Sequence, residues 1–144
     1  MRYQVCKHHL TGEVPSRGPY SKSNHPVLFR CAFDGYQDTH YAHVGEQLYR
    51  ECDILGTVDF FAAAVFHMCT IRTQDPILHR VVTVTTQGAE EQNENYGFSI
   101  ISSKILVYEG EEFIVVAYLG SPRKSHATVV VMETKLGHLI DPKW

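Results

Sequence analysis

Long apolar runs are missing from this sequence. The longest, Phe60–Phe66, falls far short of the ~20 residues that a bilayer-spanning helix needs. Met1 is followed by Arg2, Tyr3 and Gln4 rather than by an apolar stretch, so no secretory leader is read. Cysteine is sparse: Cys6, Cys31, Cys52 and Cys69 lie at wide, irregular spacings with no Cys-x-x-Cys pair. That argues against a zinc ribbon or a disulfide framework. With no leader, it implies reduced thiols and a cytoplasmic setting. An excess of one charge is also lacking. A net charge of −3 gives no electrostatic case for binding nucleic acid or an anionic membrane surface. No internal repeat and no low-complexity tract is read.

What remains is enough for one domain: 144 residues, 44% of them hydrophobic and 20% charged. Nine histidines and eight tyrosines point to site chemistry without placing it. Residues 1–26 read as an N-terminal arm or loop region. A short strand candidate, Arg2–Lys7, leads there into a tract rich in Gly, Pro, Ser and Asn. Cys6, His8, His9, His25 and Cys31 are zinc-ligand types, but the paired spacing of known zinc sites is absent, so no metal or cofactor is assigned.

Residues 27–144 read as a single α+β domain. Val27–Phe33 is a strand closed by Asp34 and Gly35, a hairpin signal. His40 and His43 are three apart, which puts them on opposite faces of a strand. Leu55, Val58, Ala62, Val65 and Met68 recur at steps of three and four. This spacing predicts one main helix over Cys52–Cys69, with Asp53 in its first turn. The strands Ile77–Thr86, Phe98–Ile101, Lys104–Tyr108, Phe113–Tyr118 and Ala127–Met132 follow. The expected architecture is that helix packed on an antiparallel sheet or half-barrel.

One constellation carries chemistry. A hairpin closed near Lys135–Gly137 would set His126 beside Asp141, where a carboxylate fixes the imidazole tautomer. Cys52 at a helix N-terminus would gain thiolate character, and Gln47 five residues earlier could donate to an oxyanion. Asp53 and Glu51, flanking the thiol, oppose that activation.

The order Gln47, Cys52, His126, Asp141 resembles the papain-like cysteine peptidase superfamily, especially leader proteases and double-glycine peptidases. The resemblance implies acyl transfer through a Cys-His-Asp triad: peptide or amide hydrolysis, deamidation or amide exchange. It makes Cys52, His126, Asp141 and Gln47 the catalytic residues and a protein or peptide the substrate. The stretch from Val27 through His40 to Gly45 is similar to the His box of lecithin-retinol acyltransferase-like and NlpC-type hydrolases, although no cysteine here follows an Asn. Glu133-Thr134-Lys135 has the E-x-K form of metal-dependent nucleases but sits at the expected turn. Lys104–Tyr118 with Thr128–Glu133 is faintly similar to the closing strands of ADP-ribosyltransferases and lacks their E-x-E pair. The alternative from another class is a non-catalytic cytoplasmic binding protein, a viral or phage factor that engages a host protein through its acidic loop (Glu90, Glu91, Glu94).

Overall fold

The computed structural model describes residues 3–4, 7–9, 26–35, 37–41, 47–56, 58–61, 64–74, 81–87, 97–108, 116–122 and 128–142. Among these there is no helix, and every strand pairing is parallel. The chain winds in coils. A first partial coil holds β1 (Tyr3–Gln4) and β2 (Lys7–His9). The next three-strand coil holds β3 (Val27–Phe29), β4 (Ala32–Asp34) and β5 (Gln37–Tyr41). Then come β6 (Gln47–Arg50), β7 (Asp53–Gly56) and β8 (Val58–Phe61), followed by β9 (Ala64–His67), β10 (Thr70–Thr73) and β11 (Val81–Gln87). β12 (Phe98–Ile101), β13 (Lys104–Val107) and β14 (Val116–Pro122) form the next coil, and β15 (Val129–Met132) and β16 (Lys135–Leu136) begin the last.

Equivalent strands of successive coils stack into three sheets. Sheet A is β1-β3-β6-β9-β12-β15, sheet B is β2-β4-β7-β10-β13-β16, and sheet C is β5-β8-β11-β14. This is a parallel β-helix. It corrects the expected α+β fold with a helix on an antiparallel sheet.

The physical reason for the error lies in Cys52–Cys69. Its three-and-four spacing is a coincidence of three strands, β7, β8 and β9, and the corner at Met68. Val65 and Met68, counted on the buried face of a helix, are exposed, whereas Ala64 and Phe66 point inward. Likewise β15 and β16 do not fold back on each other as a hairpin. β15 pairs with β12 and β16 with β13.

Alternation on each strand builds the core. Interior columns run across the coils: Gln47–Ala64–Phe98 and Tyr49–Phe66–Ile100 in sheet A, and Phe33–Ile54–Ile71–Ile105 in sheet B. In sheet C, Val82 lies beside Ala117. Tyr49 stacks on Phe66 with ring centroids 4.6 Å apart, and Phe66 on Phe98 at 4.9 Å. Phe33 meets Tyr49 edge-on at 5.9 Å. Columns of like residues at the ~4.8 Å strand spacing are what a parallel stack rewards.

The corner between sheets A and B repeats in detail. Arg30, Glu51, Met68, Ser102 and Glu133 all take positive φ, between 48° and 56°, which turns the chain without a glycine. Each is followed by a small, inward residue: Cys31, Cys52, Cys69, Ser103 or Thr134. Their side chains donate to carbonyls of the corner. Cys52 Sγ lies 3.4 Å from Arg50 O, Cys69 Sγ 3.5 Å from His67 O, Ser103 Oγ 2.8 Å from Ile101 O, and Thr134 Oγ1 2.8 Å from Met132 O. Backbone bonds continue the ladder around the turn, as from Glu51 N–H to His67 O at 3.0 Å and Thr70 N–H to Cys52 O at 2.9 Å.

Candidate functional site

Sheet C has the least regular pairing and the longest strands. Gln37 of β5 pairs with Val58 of β8, yet the next partners are His40 with Phe60. Two residues, Asp38 and Thr39, therefore stand against one, Asp59. This is the geometry of a β-bulge, a device that recurs beside active sites because it re-aims side chains. The register sets two acidic residues at neighbouring positions on adjacent strands, whose backbones run ~4.8 Å apart. β11 beyond them carries no titratable residue, and its Thr85 pairs with Phe60. Thr85 Oγ1 donates to Leu119 O at 2.7 Å, which ties β11 to β14 behind the bulge.

The residues expected to form a thiol triad lie elsewhere. Cys52 is buried in the corner between sheets A and B, not at a helix end, and its Sγ faces Leu28 O at 3.5 Å as well as Arg50 O. Cys69, the next rung of the ladder, and then burial push the Cys52 thiol well above its ordinary range, so it stays protonated. Gln47 points into the core from β6, its Oε1 accepting from Tyr49 O–H. Asp141 lies past the end of sheet C, on another side of the coil from Cys52. His126 falls outside the described residues, as do His43, Glu109, Glu111, Glu112 and the acidic loop of Glu90, Glu91 and Glu94. Asp53 is on β7 and accepts from Arg72 at 2.8 Å. Glu133 of the E-x-K stretch occupies a corner and accepts from Ser102 Oγ at 2.9 Å. Of the zinc candidates, Cys31 is a buried corner rung. No group of three His, Cys, Asp or Glu side chains gathers among the described residues.

The family model for Pectinesterase matches residues 19–144 of this chain. The chain belongs to the pectinesterase family. Pectinesterase 3 of Phaseolus vulgaris is 43% identical over 125 residues, 85% of this chain and 21% of that protein. Pectinesterase 1 of Arabidopsis thaliana is 39% identical over 125 residues, with the same two shares. The chain thus spans about a fifth of the length of these curated relatives. Among solved structures, the pectin methylesterase from carrot superposes with a TM-score of 0.75 at 34% identity, over 81% of this chain and 38% of that one. The deglycosylated Aspergillus niger pectin methylesterase gives 0.77 at 28% identity, over 86% and 41%.

Pectinesterase membership overturns the papain-like resemblance, and with it the cysteine-protease chemistry and the viral or phage binding protein. A protein or peptide substrate has no support in a family whose named substrate is pectin, a polysaccharide. The cytoplasmic setting, inferred along with reduced thiols for that chemistry, is overturned by the same membership.

Reasoning from the sequence missed Asp38 and Asp59. A signal was there, since they follow Cys31 and Cys52 at the same offset, one coil apart. That recurrence becomes visible once Cys31 and Cys52 are seen as equivalent rungs.

Proposed function

We propose that this chain carries the carboxylate pair of a pectin methylesterase, Asp38 and Asp59, which hydrolyses methyl esters of galacturonan to free carboxylate and methanol. The observation that carries the reading is the two-against-one register of β5 and β8, which sets both acids together on sheet C. The relatives' names supply the substrate class.

The reaction asks this pair to hold one proton between them, as carboxylates brought together on neighbouring strands are disposed to do. That leaves one carboxylate to attack the ester carbonyl or to take a proton from water, and one carboxylic acid to protonate the leaving methoxide. Water supplies the hydroxyl of the new acid, methanol leaves with the donated proton, and the pair returns to its starting protonation as the product ionises. None of the four cysteines is needed for this chemistry.

The test is methanol release from esterified pectin by the purified chain, compared with Asp38→Asn and Asp59→Asn. Each substitution is expected to lower the rate on the order of 10²–10⁴-fold, the usual worth of a positioned acid or base. The double variant should be little worse than either single one, because the two groups act as a unit. Methanol release that survives both substitutions, or is absent from the intact folded chain, overturns the reading. So does release that depends on Cys52.

A further inference from the structure

The outer faces of sheets A and B differ in kind. Sheet B turns mostly charged and polar residues outward, among them Asp53 and Arg72, paired at 2.8 Å, and Lys104 beside Lys135. Sheet A turns out two columns that run along the coil. One is Val27–Leu48–Val65–Ser99–Val130, and the other is Phe29–Arg50–His67–Ile101–Met132. No acid stands in either column, and seven of the ten side chains are apolar. Of the seven large apolar side chains exposed among the described residues, Val65, Val130 and Met132 lie here and Met68 on the adjoining corner. No described element crosses this face, since every other strand belongs to sheet B or C. An apolar patch of this kind marks a contact surface rather than a solvated one.

Five strands at ~4.8 Å and four residues at ~3.3 Å give the face about 24 Å by 13 Å, roughly 300 Å² on each copy. Ten side chains fall short of the 20–30 a side of a standard interface, so this face holds a weak, reversible pair and not an obligate one. The columns are also complementary to themselves. A two-fold axis lying along β9 exchanges β6 with β12 and β3 with β15 while keeping strand direction, so each column faces its own equivalent. The large Leu48 meets the small Ser99 of the second copy, and Val65 meets Val65. Phe29 meets Met132 of the second copy, a thioether against the ring edge, because Arg30 already covers the ring face at 4.8 Å. Arg50 keeps its contact with Glu51 at 3.4 Å and lays its stem over Ile101 of the second copy. His67 meets His67 at the axis, where one neutral imidazole can donate to the other.

We infer that the outer face of sheet A is a self-association surface, on which two copies of this chain pack face to face about a two-fold axis along β9. Packed sheets lie about 10 Å apart, the depth that these side chains fill. The interface is isologous and closes at two, so it makes dimers and not fibres. Sheet C is on another side of the coil, so each copy keeps its proposed reaction face open. The dimer then presents two such faces to a polymer, and engagement of both strengthens its hold without a new contact to sugar. Self-association needs no activity, so it stands or falls apart from the esterase reading.

Sedimentation velocity of the purified chain from ~1 μM to ~500 μM tests the surface, because a pair of this size is expected to dissociate on the order of 10–100 μM. Val65→Lys sets two like charges across the axis and should weaken the dimer on the order of tenfold or more, with the circular dichroism spectrum unchanged. Lys135→Glu, at an exposed position on sheet B, should leave the dimer as it is. Ser99→Leu should weaken it by overfilling the contact with Leu48. Leu48→Ser combined with Ser99→Leu should restore it, since the exchange keeps large against small on both sides of the axis. That restoration is decisive even where Val65→Lys fails to fold. A chain that stays monomeric across the range overturns the inference and leaves the face to another occupant. So does a dimer that survives Val65→Lys, one that the double exchange does not restore, or assembly that continues past two.

Discussion

Phe66 offers a sharp test of the coil architecture, because its neighbour Val65 provides the control. Phe66 is fully buried in the middle of a stack, between Tyr49 at 4.6 Å and Phe98 at 4.9 Å. Phe66→Ala removes a ring that two rigid neighbours on adjacent coils cannot close over. Truncations of this kind cost about 3–5 kcal/mol. Of that, the two lost ring pairs contribute about 0.5–1.5 kcal/mol each. Val65 sits one residue earlier on the same strand with its side chain facing out, so Val65→Ala should stay within about 0.5 kcal/mol. Urea unfolding followed by circular dichroism measures both, and the slope should be unchanged if the transition remains a single step. Had the stretch been the helix that its spacing suggests, Val65 would be a buried position and its truncation costly. Equal losses at 65 and 66, or a Phe66→Ala cost below about 1 kcal/mol, would refute the interior column.

Two further outcomes follow from the corner between sheets A and B. Cys52 should react with iodoacetamide no faster than Cys31 or Cys69 at neutral pH, and all three should become reactive together only on unfolding, as mass spectrometry of alkylated peptides would show. Selective labelling of native Cys52 would contradict its place in the ladder. Glu51 accepts from Arg30 at 2.8 Å, and that bond holds its carboxyl below the ordinary value of 4.5. A lowered folded-state pKa contributes stability above pH 4.5 that is lost as pH falls through the folded value. Melting of Glu51→Gln should therefore lie below that of the parent at pH 7 and converge with it in acid. A gap that persists or widens in acid would count against the pair.

Strands were legible in the sequence where β-branched residues alternate. Phe98–Ile101 is found as expected, and Lys104–Tyr108 and Ala127–Met132 shift at their ends by a residue or two. Their direction was not legible. Asp34–Gly35 reads as a hairpin signal, but here Gly35 N–H reaches Leu55 O of the next coil at 3.0 Å, so the turn hands the chain onward instead of back. Val27–Phe33 reads as one strand because nothing in Arg30 announces its positive φ. The repeat was hidden because the steps from Cys31 to Cys52, Cys69, Ser103 and Thr134 are unequal and the rung changes from thiol to hydroxyl. What recurs is a shape, a residue of positive φ followed by a small side chain that can reach a carbonyl. Residue-type patterns do not register that. Asp38 and Asp59 stayed invisible for the same reason, since an acidic residue in a strand-like run gains meaning only from the one beside it on the next coil.

The corner ladder also works as a counter that resets once per turn. Whatever length of loop intervenes, the chain must arrive at the next rung with the same handful of bonds, so errors in spacing do not accumulate from coil to coil. Loops can therefore lengthen or shorten with little consequence. A single residue gained between a corner and the strand it feeds, as between Cys69 and β10, would turn that strand inside out, bringing Thr70 into the core in place of Ile71. Variation in this molecule is thus free in one set of places and nearly forbidden in another, and the border between them lies at Cys31, Cys52, Cys69, Ser103 and Thr134.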